Sequence, residues 1–72
     1  MTADPNELLL APEVAVILRT PVKTLAYWRS QGIGPEWIPL GKRITYQRSA
    51  VEAYIAQQAE RARAAAQRRR AS

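Results

Sequence analysis

Pro12-Glu13-Val14-Ala15-Val16-Ile17-Leu18-Arg19-Thr20-Pro21-Val22-Lys23-Thr24-Leu25-Ala26-Tyr27-Trp28-Arg29-Ser30-Gln31-Gly32 is the stretch on which the fold turns. Pro12 suits a first helical turn, where its missing N–H costs nothing, and Glu13 beside it favours the positive end of a helix dipole. Val14, Ala15, Ile17 and Leu18 then recur at helical spacing, and Pro21 disfavours α geometry at Thr20, so a first helix is expected over 12–18. Thr20 as N-cap and Pro21 at the first helical position announce a second helix over 21–31. Leu25 and Trp28, three apart, form its apolar face, and Gly32 and Gly34 close it. Two helices joined by a tight turn of about three residues fit a helix-turn-helix.

The other face of the second helix shows Lys23, Thr24, Tyr27, Arg29 and Ser30. Cations, hydrogen-bonding groups and an aromatic in this combination suit a groove of DNA, although an ordinary solvated helix face has a similar composition.

Beyond Pro35, Trp37, Ile38 and Leu40 face Ile44 and Tyr46 across Gly41-Lys42-Arg43, which reads as a β-hairpin over 36–47. An isolated hairpin is marginal in water, so it must lean on the helices, and Trp28 and Trp37 are expected in the core that joins them. Lys42 and Arg43 have nothing to pack against in a turn and can reach a phosphate or the minor groove from the tip of a wing. Ser49 with Glu52 three residues on forms a capping box for a third helix over 49–65, with Val51, Tyr54 and Ile55 on its apolar face. Past Ala56 the stripe gives way to Ala, Gln and Arg, so residues 57–72 read as a basic helical or disordered tail. That tail is either an arm for phosphates or a neighbouring subunit, or a solubilising end. At the other end, residues 1–7 lack periodicity and read as a flexible arm, and Leu8-Leu9-Leu10 is a short strand or a hydrophobic lead-in. The expected architecture is one domain over 8–56, mostly α with a small β-hairpin.

Seventy-two residues bury only about 60% of their unfolded surface, so one compact core is the limit. There is no cysteine and no histidine. Disulfides, thiolate chemistry and the commonest metal ligand and general base are thereby excluded, and neither an enzyme nor a cofactor or metal site is expected. No apolar run is long enough for a bilayer, and no secretory signal opens the chain, so a cytoplasmic location away from membranes is expected. The net charge of +5 is unevenly spread. Residues 1–18 hold Asp4, Glu7 and Glu13 and no base; residues 19–48 hold six bases against Glu36, and the end of the chain five arginines against Glu60. A middle and tail this basic favour a polyanion, although charge alone also fits a surface kept soluble.

Glu13-Val14-Ala15-Val16-Ile17-Leu18, Pro21-Val22-Lys23-Thr24-Leu25 and Trp28, Ile38-Pro39-Leu40-Gly41-Lys42-Arg43-Ile44-Thr45-Tyr46 and Ser49-Ala50-Val51-Glu52-Ala53-Tyr54-Ile55, in this order, resemble the MerR-type winged-helix domain. The similarity is greatest to the excisionase and AlpA-like group of small phage DNA-binding proteins and covers about 8–56. It implies a winged helix-turn-helix whose second helix enters the major groove of double-stranded DNA. Carried over by position, Lys23, Thr24, Tyr27 and Arg29 lie on the recognition helix and Lys42 and Arg43 at the wing, with Arg19 and Arg48 as phosphate contacts. Two departures stand out. Leu10 or Ala11 occupies the first helix's cap position, where Ser or Thr is usual, at about 1 kcal/mol. No effector domain follows, so an effector-sensing activator is not expected. The resemblance implies an excisionase (recombination directionality factor) that binds tandem sites, bends DNA and directs an integrase toward excision; the acidic start and the basic middle and tail would allow head-to-tail contacts between neighbouring copies of itself, so cooperative binding is expected. A prophage or plasmid transcriptional regulator on the same fold, and a protein- or RNA-binding adaptor, are the alternatives.

Overall fold

A computed structural model describes residues 4–71. The elements in chain order are β1 (Leu8–Leu10), α1 (Ala11–Leu18), α2 (Val22–Gln31), β2 (Ile38–Leu40), β3 (Arg43–Gln47) and α3 (Arg48–Ala71). Three helices and a small antiparallel sheet make a mostly helical winged helix-turn-helix, as the sequence led one to expect.

The Leu8–Leu10 triplet is a strand. It pairs antiparallel with β3, Leu9 opposite Tyr46, while β2 pairs with the other edge of β3, Pro39 opposite Ile44. The sheet order β1-β3-β2 therefore puts the second arm of the hairpin at the centre, which gives the wing the third strand that a lone hairpin lacks. Glu36 and Trp37 stay outside the ladder, so the hairpin is shorter than 36–47. Leu40 pairs with Arg43, leaving Gly41-Lys42 as a two-residue turn with Gly41 at φ +60 in the first central position, as a type II′ turn requires. Arg43 thus opens β3 instead of sitting in the turn.

Five elements each bury one side chain almost completely: Leu9 from β1, Val14 from α1, Leu25 from α2, Tyr46 from β3 and Val51 from α3. Ala11, Ala15, Leu18, Trp28 and Ile44 pack around them. Trp28 lies against Tyr54 with ring centroids 5.7 Å apart. Trp37, expected in the core, is 37% exposed: it sits before the sheet begins, with the Arg29 Cζ 6.0 Å from its ring centre.

The helix ends differ from the simple cap reading. Glu13 Oε1 accepts the Leu10 N–H at 2.9 Å, supplying half of a capping box where the N-cap side chain supplies none. The N-cap of α2 is Pro21, whose carbonyl accepts the Thr24 and Leu25 N–H groups. The Thr20 hydroxyl turns back instead and donates to the Leu18 carbonyl at 2.9 Å, serving the end of α1. Gly32, at φ +71, closes α2 with the Ile33 N–H donating to the Trp28 carbonyl. Arg48, not Ser49, begins α3, and the Arg48 and Ser49 N–H groups donate to the Glu7 and Pro5 carbonyls. Residues of the polar lead thus cap α3, which runs past the expected 65 to Ala71; residues 1–3 of that lead lie outside the described residues.

Arg19 closes α1 in the left-handed region at φ +53, and no other non-glycine among the described residues has a positive φ. Exposed and without a Cβ-tolerant backbone, it carries strain that glycine would relieve. Arg19→Gly is expected to raise stability by about 0.5–1 kcal/mol, the relief being partly offset by a more flexible unfolded chain, as urea titration would measure.

Candidate nucleic-acid interface

The α1–α2 turn and the wing present the cations singled out from the sequence, and their side chains stand in different situations. Lys23 and Tyr27 are exposed, Tyr27 to 60%, and at about 100° per residue they share one face of α2 with Ser30. The Ser30 hydroxyl is spent on the Tyr27 carbonyl at 2.7 Å. Thr24 is half-buried on the flank of that face. Arg29 is also half-buried: its Nη1 donates to the Tyr46 hydroxyl at 2.7 Å, and its Cζ lies 6.0 Å from the centre of the Trp37 ring. The guanidinium is therefore held against the wing and not carried on the open face of α2.

Lys42 is exposed in the wing turn and Arg43 is exposed on the strand beside it. Arg19 is exposed in the turn between the two helices. Among the described residues the side chains of Arg19, Lys23, Lys42 and Arg43 make no hydrogen bond or ion pair. Arg48 differs, since its Nε meets Glu7 Oε1 at 2.7 Å with the Arg48 side chain 27% exposed. That pair holds the polar lead to α3 and leaves the other donors of the fork without a partner among the described residues.

The acidic start is largely committed within the chain. Asp4 Oδ1 accepts the Asn6 N–H at 2.9 Å, Glu7 holds Arg48, and Glu13 takes the Leu10 N–H. From 19 to 48 the sole carboxylate is Glu36, which lies on the side of the molecule where a concavity of about 560 Å³ opens between Gly34, Gln47, Tyr54 and Gln57. The surface of α2 and the wing is thus one of cations without acidic partners, and such a surface is satisfied by an anion from outside.

Tyr46 and Trp37 were not legible as parts of this surface. Arg29 and Tyr46 are 17 residues apart, and only the packing of α2, through Leu25, into the core that Tyr46 shares brings them together. Among the described residues no group of three or more Asp, Glu, His or Cys could hold a metal ion, and no helix is long and apolar enough to cross a membrane.

Compared with protein-family models, residues 8–59 match the helix-turn-helix domain. No curated protein and no solved structure gives a match.

Proposed function

The chain belongs to the helix-turn-helix domain family, a membership that implies DNA as its partner, and from that premise we propose a sequence-specific binder of double-stranded DNA of the MerR-like winged type. The observation that carries this reading is the run of unpaired cations over the α1–α2 turn, α2 and the wing. In it α2 lies in the major groove with Lys23, Thr24 and Tyr27 toward base edges. Lys42 reaches the adjacent minor groove or backbone, as a cation at the tip of a two-residue turn can, and Arg19 and Arg48 contact flanking phosphates. In this reading the protein binds without catalysing a reaction: Glu7 is held by Arg48, Glu13 caps α1, and the sequence has no histidine or cysteine.

Within that reading the role is that of an excisionase, an architectural protein that bends attachment-site DNA in the host cell's cytoplasm and steers an integrase toward excision. Smoothly bending 20–30 base pairs by 40–90° costs about 1–6 kcal/mol, more than so small a module readily supplies alone. Neighbouring copies on tandem sites share that cost, because DNA already bent by one is cheaper for the next to bend. Cooperativity then travels through the DNA. Direct contact between an acidic start and a basic tail would have to compete with the local partners of Asp4, Glu7 and Glu13.

Selection from a random duplex library, followed by titration in rising salt, tests the reading. A preferred sequence is expected to emerge, with log affinity falling against log salt at about −0.9 per phosphate contacted. Two copies of that sequence spaced by one helical turn are expected to fill together. Equal affinity for selected and scrambled duplexes would rule out sequence-specific recognition, and independent filling would rule out the tandem-site role.

A further inference from the structure

Arg29 is the cation of α2 that leaves the open face. At about 100° per residue it lies roughly 120° around the helix from Lys23, on the side toward the sheet. Tyr46 takes one of its N–H donors and the Trp37 ring lies with its centre 6.0 Å from Cζ, which holds the guanidinium with donors to spare. Arg29 lines a concavity of about 300 Å³ between the start of α1 and the wing, together with Leu10, Ala11, Pro12, Ile44 and Arg43. Arg43 makes no hydrogen bond or ion pair among the described residues, and no carboxylate lines the concavity. Glu13, next to Pro12 of that lining, spends its carboxylate on the Leu10 N–H at 2.9 Å. Two arginines therefore share the lining of one hollow whose other walls are apolar and which no carboxylate lines, an arrangement that an oxyanion with several acceptor oxygens would relieve.

We propose that Arg29 and Arg43 together grip a single phosphodiester of the DNA backbone at the junction of α2 and the wing. This rests on the DNA-binding reading above and sharpens it. Arg29 is an anchor that sets how deep and in which register α2 sits, and it does not read a base. Tyr46 and Trp37 hold the fork in place before DNA arrives, so little side-chain freedom is lost on binding. Lysine cannot substitute, because a point charge on a flexible stem cannot serve both the Tyr46 hydroxyl and a phosphate in fixed geometry.

The test uses the duplex selected above and a scrambled duplex, with wild type, Arg29→Ala, Arg29→Lys, Arg43→Ala and the Arg29→Ala/Arg43→Ala double variant. Each alanine variant is expected to lose about tenfold affinity for both duplexes alike, the worth of a charge-assisted hydrogen bond. The double variant is expected to be little weaker than either single one, and Arg29→Lys to resemble Arg29→Ala. Replacing the phosphates one at a time by neutral methylphosphonate should reveal one position that weakens wild type and leaves the double variant unaffected. Arg43 is exposed on the wing, so its variants report even if Arg29→Ala loosens the fold, which a thermal melt would reveal. A changed base preference in Arg29→Ala, or losses that add fully and map to two different phosphates, would overturn the shared grip and leave DNA binding standing. Wild type that binds no duplex at all would overturn both.

Discussion

Replacing Gly34 by alanine is expected to lower the stability of the fold by about 2–4 kcal/mol, a large share of the roughly 5–15 kcal/mol that holds a typical domain together. Two costs combine at this position. Gly34 has φ +84, a conformation that an L side chain adopts only under strain, and a Cβ there would lie 2.8 Å from Trp28 Cε3 and 3.2 Å from Trp28 Cβ. Rotating the indole could relieve the first contact, but the second lies on the stem of the side chain and persists in any rotamer. Tyr54 stands with its ring centroid 5.7 Å from that of the indole and limits the room for retreat. The melting temperature should fall by roughly 10–25 °C, as circular dichroism would record. Gly41→Ala supplies the control, because Gly41 has φ +60 and nothing within 4 Å of the added Cβ. It should lose only the backbone contribution of about 1–2 kcal/mol. Equal losses at the two positions would show that the Trp28 contact contributes nothing.

The same glycine marks how far the sequence could be read. A glycine stop for α2 follows from the chain, because glycine past an apolar period is a local signal, but Gly32 supplies it and Gly34 lies beyond the cap. The close approach of Gly34 to Trp28 does not follow, since that depends on where the loop after Gly32 folds back. The two helices and the hairpin were legible because their apolar residues repeat with a period, and because Pro21 and Gly41 constrain the backbone where they stand. Leu8–Leu10 has no period to read, and it becomes a strand only because β3 offers a free edge. The cap of α3 was misread for a related reason: Ser49 and Glu52 satisfy a local rule, but the Glu7 and Pro5 carbonyls take the Arg48 and Ser49 N–H groups from more than 40 residues away. At the interface, the residue types were legible and their division of labour was not. Lys23 and Arg29 look alike in the sequence, and only the Tyr46 hydroxyl and the Trp37 ring separate a free cation from a held one.

That separation makes the Lys23→Ala/Tyr27→Ala double variant the sharpest expected result on DNA. Both side chains are exposed on the open face of α2, and alanine is the better helix former at both positions, so the fold should be unharmed and α2 slightly firmer. A cation contact to a guanine edge is worth about 1–3 kcal/mol, and the Tyr27 ring and hydroxyl offer about 1 kcal/mol more against a thymine methyl or a neighbouring acceptor. The selected duplex should therefore be bound about 30- to 1000-fold more weakly. Affinity for a scrambled duplex should barely change, because non-specific binding depends on phosphate contacts, and Arg19, Lys42, Arg43 and the Arg29 anchor are all left in place. The two curves are expected to converge: specificity disappears while the salt dependence stays close to that of wild type. This contrasts with the Arg29 and Arg43 variants, which should weaken both duplexes in parallel and keep the preference between them. Parallel loss in the Lys23/Tyr27 variant as well would move base reading off α2 and onto the wing, where Lys42 would become the residue to change next.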